Sequence, residues 1–227
     1  MPNRGRKFAD LLCYLCGVNP GETRDHIFPK NLFRRPLPSN LLTAPACNSC
    51  NNSLSNDGEL FRVFVPSGDA YETEAGRGIW DERVRPSLRM DRRGIRTHLR
   101  EVLKELPIFS PTGDLIGMSA YLEADREAIY RVLAKIGKGL YYQESGQPLP
   151  NQCVVLSAFD EGDPGRFLEP PLDEAIVGAK RTDVGDGVVT YWRKSVAEDP
   201  VLSITWVAFY GDKSALITTQ REDSSQS

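Results

Sequence analysis

Cys13-Tyr-Leu-Cys16, followed by Cys47-Asn-Ser-Cys50-Asn51, is the part of this 227-residue chain that decides its architecture. Two residues between cysteines let both thiolates reach one ion at about 2.3 Å in a tight knuckle. Two such knuckles make a four-sulfur tetrahedral site, which suits zinc and leaves no open coordination position. The plainer alternative, small buried apolar residues that happen to pair, is a poor accident at this spacing. Cys153 stands apart as a fifth cysteine. An odd count in a chain without an export signal points to metal binding rather than disulfides. The segment between the knuckles, residues 17–46, is longer than a simple ribbon requires. Something else is built there.

Composition narrows the class. Hydrophobic residues at 40% and charged residues at 26% lie near globular averages, so the chain is neither largely disordered nor fibrous. The longest apolar-rich stretch, Val201 to Tyr210, is half the roughly twenty residues a membrane span needs. Asp10 interrupts the apolar run after Arg4, Arg6 and Lys7, which argues against a secretory signal. A soluble, cytoplasmic protein with no membrane partner is the expectation. The formal net charge of −3 is unevenly spread: residues 1–57 carry +3, residues 58–104 carry +2 and residues 105–227 carry −8. A basic front and an acidic back suit a polyanion contacting one end of the molecule.

The insert between the knuckles holds Asp25-His26-Ile27-Phe28-Pro29 and then Asn40-Leu41-Leu42, and Asn51 follows the second knuckle at once. In this ordered set the sequence resembles the HNH endonuclease family, over about residues 10–57. The wording around Asp25-His26, Pro45-Ala46-Cys47 and Asp57 with Phe61-Arg62 is similar to a bacterial subgroup that carries a C-terminal extension. The resemblance implies a ββα-metal fold, with Asp25-His26 at the end of one strand and Asn51 on the facing helix. It also implies that Asn40 orients His26 by hydrogen-bonding its loop. Two departures stand out. Asn51 replaces the usual His at the third signature position, and the Lys that often follows is absent, with Leu54 in that region.

The chemistry of these residue types is consistent with that activity. Phosphodiester hydrolysis needs a deprotonated water, a neutralised phosphate and a stabilised leaving oxygen. His26 can take the water proton as general base, because imidazole titrates nearest neutrality. A Mg²⁺ or Mn²⁺ ion held by the Asp25 carboxylate and the Asn51 amide oxygen would screen the phosphate and the departing oxygen together. Each residue also has a bland role: Asp25 can cap a turn, Asn51 can cap a helix, and Asn40 after Pro-Ser is an ordinary turn residue. Lys30, Arg34 and Arg35 are the expected phosphate contacts. The arginines from Arg83 to Arg100, with Lys104, form a second basic block that serves either nucleic acid or a solvated helix face. His98 reads as a surface residue, and Trp80, Trp192 and Trp206 as core.

The organisation expected is α+β. A zinc-stapled ββα-metal nuclease module spans 1–57, an Arg-rich helical connector 58–106, an α+β domain with a mainly antiparallel sheet 107–220, and a disordered tail 221–227. Within this, Gly58 begins a helix, helical stretches run from Ile79 to Leu106, and Pro107 to Gly113 is a loop. Leu115 to Leu122 is a strand, and Asp125 caps a helix reaching about Tyr142. Strands follow near Cys153–Ala158, Val188–Val196, Val201–Tyr210 and Ala215–Thr219, with a turn cluster at Asp183-Val-Gly-Asp-Gly. The leading functional expectation is a metal-dependent endonuclease acting on DNA, its C-terminal domain serving a homodimer or a regulatory protein. A zinc-stapled nucleic-acid-binding module without turnover is the alternative, and a partner-regulated nuclease effector in phage defence a third.

Overall fold

The computed structural model describes residues 10–90, 97, 103–122, 125–160 and 176–222. The first knuckle closes where Gly17 adopts a left-handed φ of +66° and donates its N–H to the Cys13 carbonyl at 2.8 Å. Glycine enters that region without Cβ strain. Strand β1 (Thr23–His26) then pairs antiparallel with β2 (Thr43–Ala46), in a register that sets His26 opposite Thr43. Side chains alternate across a strand, so Thr23 and Asp25 share one face of β1 while Arg24 and His26 share the other. Burial agrees: Asp25 is buried, His26 half-buried and Arg24 exposed. The second knuckle leads straight into helix α1 (Asn48–Ser53), with Cys47 extended at its N-cap, and then into α2 (Ser55–Phe64). Strand, strand and helix therefore follow one another across the two knuckles.

Short elements come next: α3 (Glu74–Ile79), capped by the Thr73 hydroxyl, a π-helical turn over Trp80–Val84, and α4 (Arg85–Arg89) with Pro86 in its first turn. A hairpin of β3 (Leu103–Phe109) and β4 (Leu115–Leu122) precedes the long helix α5 (Arg126–Ser145). Asp125 caps α5 by accepting from the Ala128 N–H at 3.0 Å, and Gly146 ends it in the left-handed region. Five strands complete the chain: β5 (Cys153–Asp160), β6 (Lys180–Val184), β7 (Val189–Ser195), β8 (Ser203–Phe209) and β9 (Lys213–Arg221). They form an antiparallel sheet in the order β5-β9-β8-β7-β6.

Helix α5 joins the two parts because it carries two stripes at helical spacing. Arg131, Lys135, Lys138 with Gly139, and Gln143 lie along one side of the helix and meet the first knuckle, the β1–β2 pair with Ile27, and α2. Val132, Ile136 and Leu140, none more than 1% exposed, belong to the apolar core, and α5 packs on β5 and β9. Burying each of these aliphatic side chains contributes about 1.5–3 kcal/mol. The inner face of the sheet meets the N-terminal part directly. Phe28 lies 5.6 Å from Tyr191 and Phe61 5.2 Å from Phe209, ring centre to ring centre, and the Tyr210 hydroxyl donates to the Leu32 carbonyl at 2.7 Å. Buried residues from Cys13 to Ile217 thus form one continuous core.

Several expectations are corrected. The helix expected to reach Leu106 gives way to β3 by Leu103, and the loop expected from Pro107 begins after Phe109. Proline is tolerated there because a two-stranded hairpin has a free edge where no ladder N–H is needed. Asp183 and Val184 belong to β6, leaving Gly185–Gly187 as the turn, and Arg221 ends β9 rather than starting a tail. Trp192 and Trp206 are not core: they are half-exposed and stack on each other, 4.3 Å between centroids, on the pleat opposite buried Tyr191 and Arg193. Trp80 only packs partly against buried Val63 and Val84. Arg92, Arg93, Ile95, Arg96, His98, Leu99, Arg100 and Val102, and residues 223–227, lie outside the described residues.

Two helical glycines separate packing from propensity. A Cβ on Gly139 would stand 2.6 Å from Ile27 Cγ2, whereas one on Gly58 meets nothing within 4 Å. Alanine is favoured over glycine in a helix by about 1 kcal/mol, and overpacking costs about 1–3 kcal/mol. Gly58→Ala should therefore raise the midpoint of thermal unfolding by a few degrees, and Gly139→Ala should lower it. Calorimetry of both variants checks this, and a rise in both would show that α5 does not press on Ile27.

Candidate functional site

The sulfurs of Cys13, Cys16, Cys47 and Cys50 lie within 4.8 Å of one another. A tetrahedral zinc with bonds of about 2.3 Å sets its sulfurs about 3.8 Å apart, so the cluster fits a zinc ion with little adjustment. Backbone geometry holds the sulfurs in place. Cys13 N–H donates to the Asn19 carbonyl at 2.8 Å, and the Asn19 amide reaches the Cys47 sulfur at 3.8 Å. The thiols divide in acidity. Burial raises Cys16, but hydrogen bonds from the Asn19 and Val18 N–H groups and from the Cys13 and Cys50 thiols together bring it down to about 7 from the usual 9.0. Cys47 is lowered by the Cys50 N–H, while burial pushes Cys13 and Cys50 up. Four neighbouring thiols cannot all ionise alone; a divalent cation at their centre removes that obstacle. The four cysteines form a cluster able to hold a metal ion, and their donor set suits zinc.

Tyr14, inside the first knuckle, carries the staple onward. It is fully buried, its backbone N–H donates to the Pro45 carbonyl at 2.9 Å, and its hydroxyl donates to Asp25 Oδ2 at 2.7 Å. Burial and then the Asp25 charge hold the phenol well above its usual 10.0, so it remains a donor. Lys135 of α5 completes the group, its Nζ 2.9 Å from each Asp25 oxygen. Lys138, one turn on, donates to the Leu15 carbonyl at 3.0 Å. Helix α5 thereby grips the knuckle and β1 together.

His26 points from the other pleat of β1. Its Nδ1 is buried without a hydrogen-bond partner among the described residues, which leaves Nε2 as the nitrogen able to serve solvent. Burial, then the charge on Lys30, holds the imidazole below its usual 6.5, with Asp25 opposing and Lys135 and Arg24 adding to the shift. These surroundings favour the neutral ring, which lies beside exposed Lys30. Arg24 shares its face of the strand.

The other expected site residues lie as follows. Asn51, half-buried on α1, donates its amide to the Thr23 hydroxyl at 3.0 Å, on the Asp25 side of β1. Asn40 does not hold the His26 loop: its amide donates to the Asp183 carbonyl of β6 at 2.8 Å. The loop is held instead by the main chain, where Ile27 N–H donates to the Leu42 carbonyl at 3.1 Å. Arg34 is drawn into an ion pair with Glu82, and Arg35 is exposed. Both oxygens of the Asp25 carboxylate are already engaged, by Lys135 and Tyr14. Arg24 and Lys135 were missed from sequence. Strand alternation could have found Arg24, because it shares a pleat with His26. Only the 131-135-138 spacing of cations on α5 hinted at Lys135.

Protein isolated without chelator should carry one zinc per chain, read by elemental analysis. Cys47→Ser should lose it, and because Cys13 and Cys47 sit in the continuous core, unfolding should shift cooperatively rather than only in residues 1–57. Full metal content in that variant would break the assignment. Among the described residues no helix is long and apolar enough to cross a membrane. No protein-family model, curated protein or solved structure matches the chain.

Proposed function

We propose that the segment built on the two knuckles, β1, β2 and α1 is the catalytic module of an endonuclease that hydrolyses phosphodiester bonds in DNA, a zinc-stapled ββα module of the HNH kind. His26 carries the reading. It is a half-buried imidazole whose burial and neighbouring cations favour the neutral form, flanked by Lys30 and Arg24, on a strand that follows the first pair of a four-cysteine cluster. In this role Nε2 accepts the proton of the attacking water, and the two cations draw the scissile phosphate to the same face of β1. The basic charge of residues 1–104 and the acidic charge beyond them favour nucleic acid meeting this end of the molecule. The resemblance adds a catalytic Mg²⁺ or Mn²⁺; the Asp25–Lys135 pair weighs against its binding at Asp25. That pair also favours a second reading, a zinc-stapled module that binds nucleic acid without cleaving it.

The two readings separate on plasmid DNA incubated with the zinc-loaded protein, with and without added Mg²⁺ or Mn²⁺. Nicking that falls by about 10²–10⁴ in His26→Ala, with DNA binding kept, supports the enzyme. Retarded but intact DNA supports the binder. The pH profile adds a signed test. A general base works deprotonated, and the folded-state value of His26 lies below 6.5. Cleavage should therefore be flat at and above neutral pH and fall only as pH drops through that lowered value. A rate that rises steeply above pH 7 would assign the proton to another group.

A further inference from the structure

Asp25 is the acid that the nuclease pattern gives to a divalent ion, yet its charge is already met. Lys135 Nζ stands 2.9 Å from both carboxylate oxygens, and Tyr14 donates to Oδ2 at 2.7 Å. The side chains of Asp25 and Lys135 are 7% and 11% exposed. We infer that Lys135 is the resident cation of this site: its ammonium group takes the place at Asp25 of a divalent ion, so the chain binds no Mg²⁺ or Mn²⁺ through that carboxylate. What this means for catalysis rests on the nuclease reading; the ion pair itself does not.

Charge and solvation both favour the lysine. A divalent ion entering at Asp25 would have to break a pair already out of water and leave an ammonium group beside a doubly charged ion. Mg²⁺ gives up its water shell reluctantly, and a carboxylate this enclosed asks it to do so. Lys135 is also fixed from both sides. Four residues earlier, Arg131 holds Asp57 of α2 through Nε at 2.7 Å and a terminal nitrogen at 3.0 Å. Three residues later, Lys138 holds the Leu15 carbonyl of the first knuckle. Next to Lys138, Gly139 lies so close to Ile27 that a Cβ would overlap it. The helix cannot rotate Lys135 away from Asp25 without losing these contacts. Lys135 is thus a positioning residue: through Asp25 it keeps one pleat of β1 turned into the protein, which leaves the other pleat, with His26, facing outward.

Binding of Mn²⁺ to the zinc-loaded protein, read by the loss of the free-ion electron paramagnetic resonance signal, tests this without any turnover. Wild type and Asp25→Asn should bind the same number of Mn²⁺ ions, because Asp25 takes none. Lys135→Met, which keeps the stem and removes the charge, should gain about one Mn²⁺ per chain, and adding Asp25→Asn to it should abolish that gain. Lys135→Arg should behave as wild type. Mn²⁺ binding in wild type that Asp25→Asn removes would overturn the inference. So would a zinc-loaded, folded Lys135→Met that binds no more than wild type. Should Lys135→Met not fold, the comparison of wild type with Asp25→Asn decides alone. His26→Ala keeps the pair intact, so a loss or survival of cleavage in that variant judges the nuclease reading separately.

Discussion

Four sulfur atoms within 4.8 Å of one another repel as thiolates unless a cation sits among them, and this is the constraint around which the N-terminal part of the protein is arranged. The segment is rich in proline, asparagine and short turns and supplies few long apolar faces of its own. Its two strands have four residues each, well short of what an isolated hairpin needs to persist in water. A zinc ion bound by the four thiolates would tie residues 13–16 to residues 47–50. The two strands and the start of α1 would then be held in register by that bond. Its free energy of binding is folding free energy for such a segment.

The staple would be local without Tyr14 and α5. Tyr14 shares the knuckle with two of the ligands, and its hydroxyl passes the constraint to Asp25; Lys135 passes it to a helix of 20 residues. The neighbouring apolar stripe of that helix is buried against the five-stranded sheet. The resulting order is sulfur cluster, phenol, carboxylate, ammonium, helix, sheet. It is reinforced by aromatic pairs such as Phe28 with Tyr191 and Phe61 with Phe209. Apolar burial supplies most of the stabilisation, and the polar contacts set the register in which it is buried. A methyl group's worth of space at Gly139 matters for the same reason: helix and hairpin meet there with no slack.

How much of this was legible in the sequence depends on how local each signal was. The cysteine pairs announced the cluster because a ligand spacing is a covalent fact. Asp125 and Gly146 marked both ends of α5, and β-branched runs marked most of the C-terminal sheet. Strand β3 was misread because Pro107 and a preceding helical stripe are local signals, whereas its pairing with β4 is not. Trp192 and Trp206 read as core in the sequence, where nothing arranges them for base stacking; pleat parity, which depends on the strand register, puts them on the outer face. Asn40 was assigned a partner by analogy, and the fold gave it another 143 residues away. Long-range polar contacts are invisible to periodicity.

Lys135 shows why that last class matters for a site. Its partner is 110 residues distant, so neither propensity nor motif could pair them. An exposed ion pair is worth about 0–1 kcal/mol and would constrain little. A pair as enclosed as this one is different in kind. Removing one partner from a buried pair typically costs about 3–5 kcal/mol because the other charge is left uncompensated, while replacing both is often neutral. The pair therefore adds little net stability, yet it enforces one arrangement: Asp25 must face the lysine wherever both are present. Pleat alternation then fixes His26 on the far side of β1, beside Lys30 and Arg24. A nuclease signature read along the chain places Asp and His together as neighbours. On a strand, neighbours point apart, and the fold uses that separation to give the carboxylate a structural cation and the imidazole access to solvent.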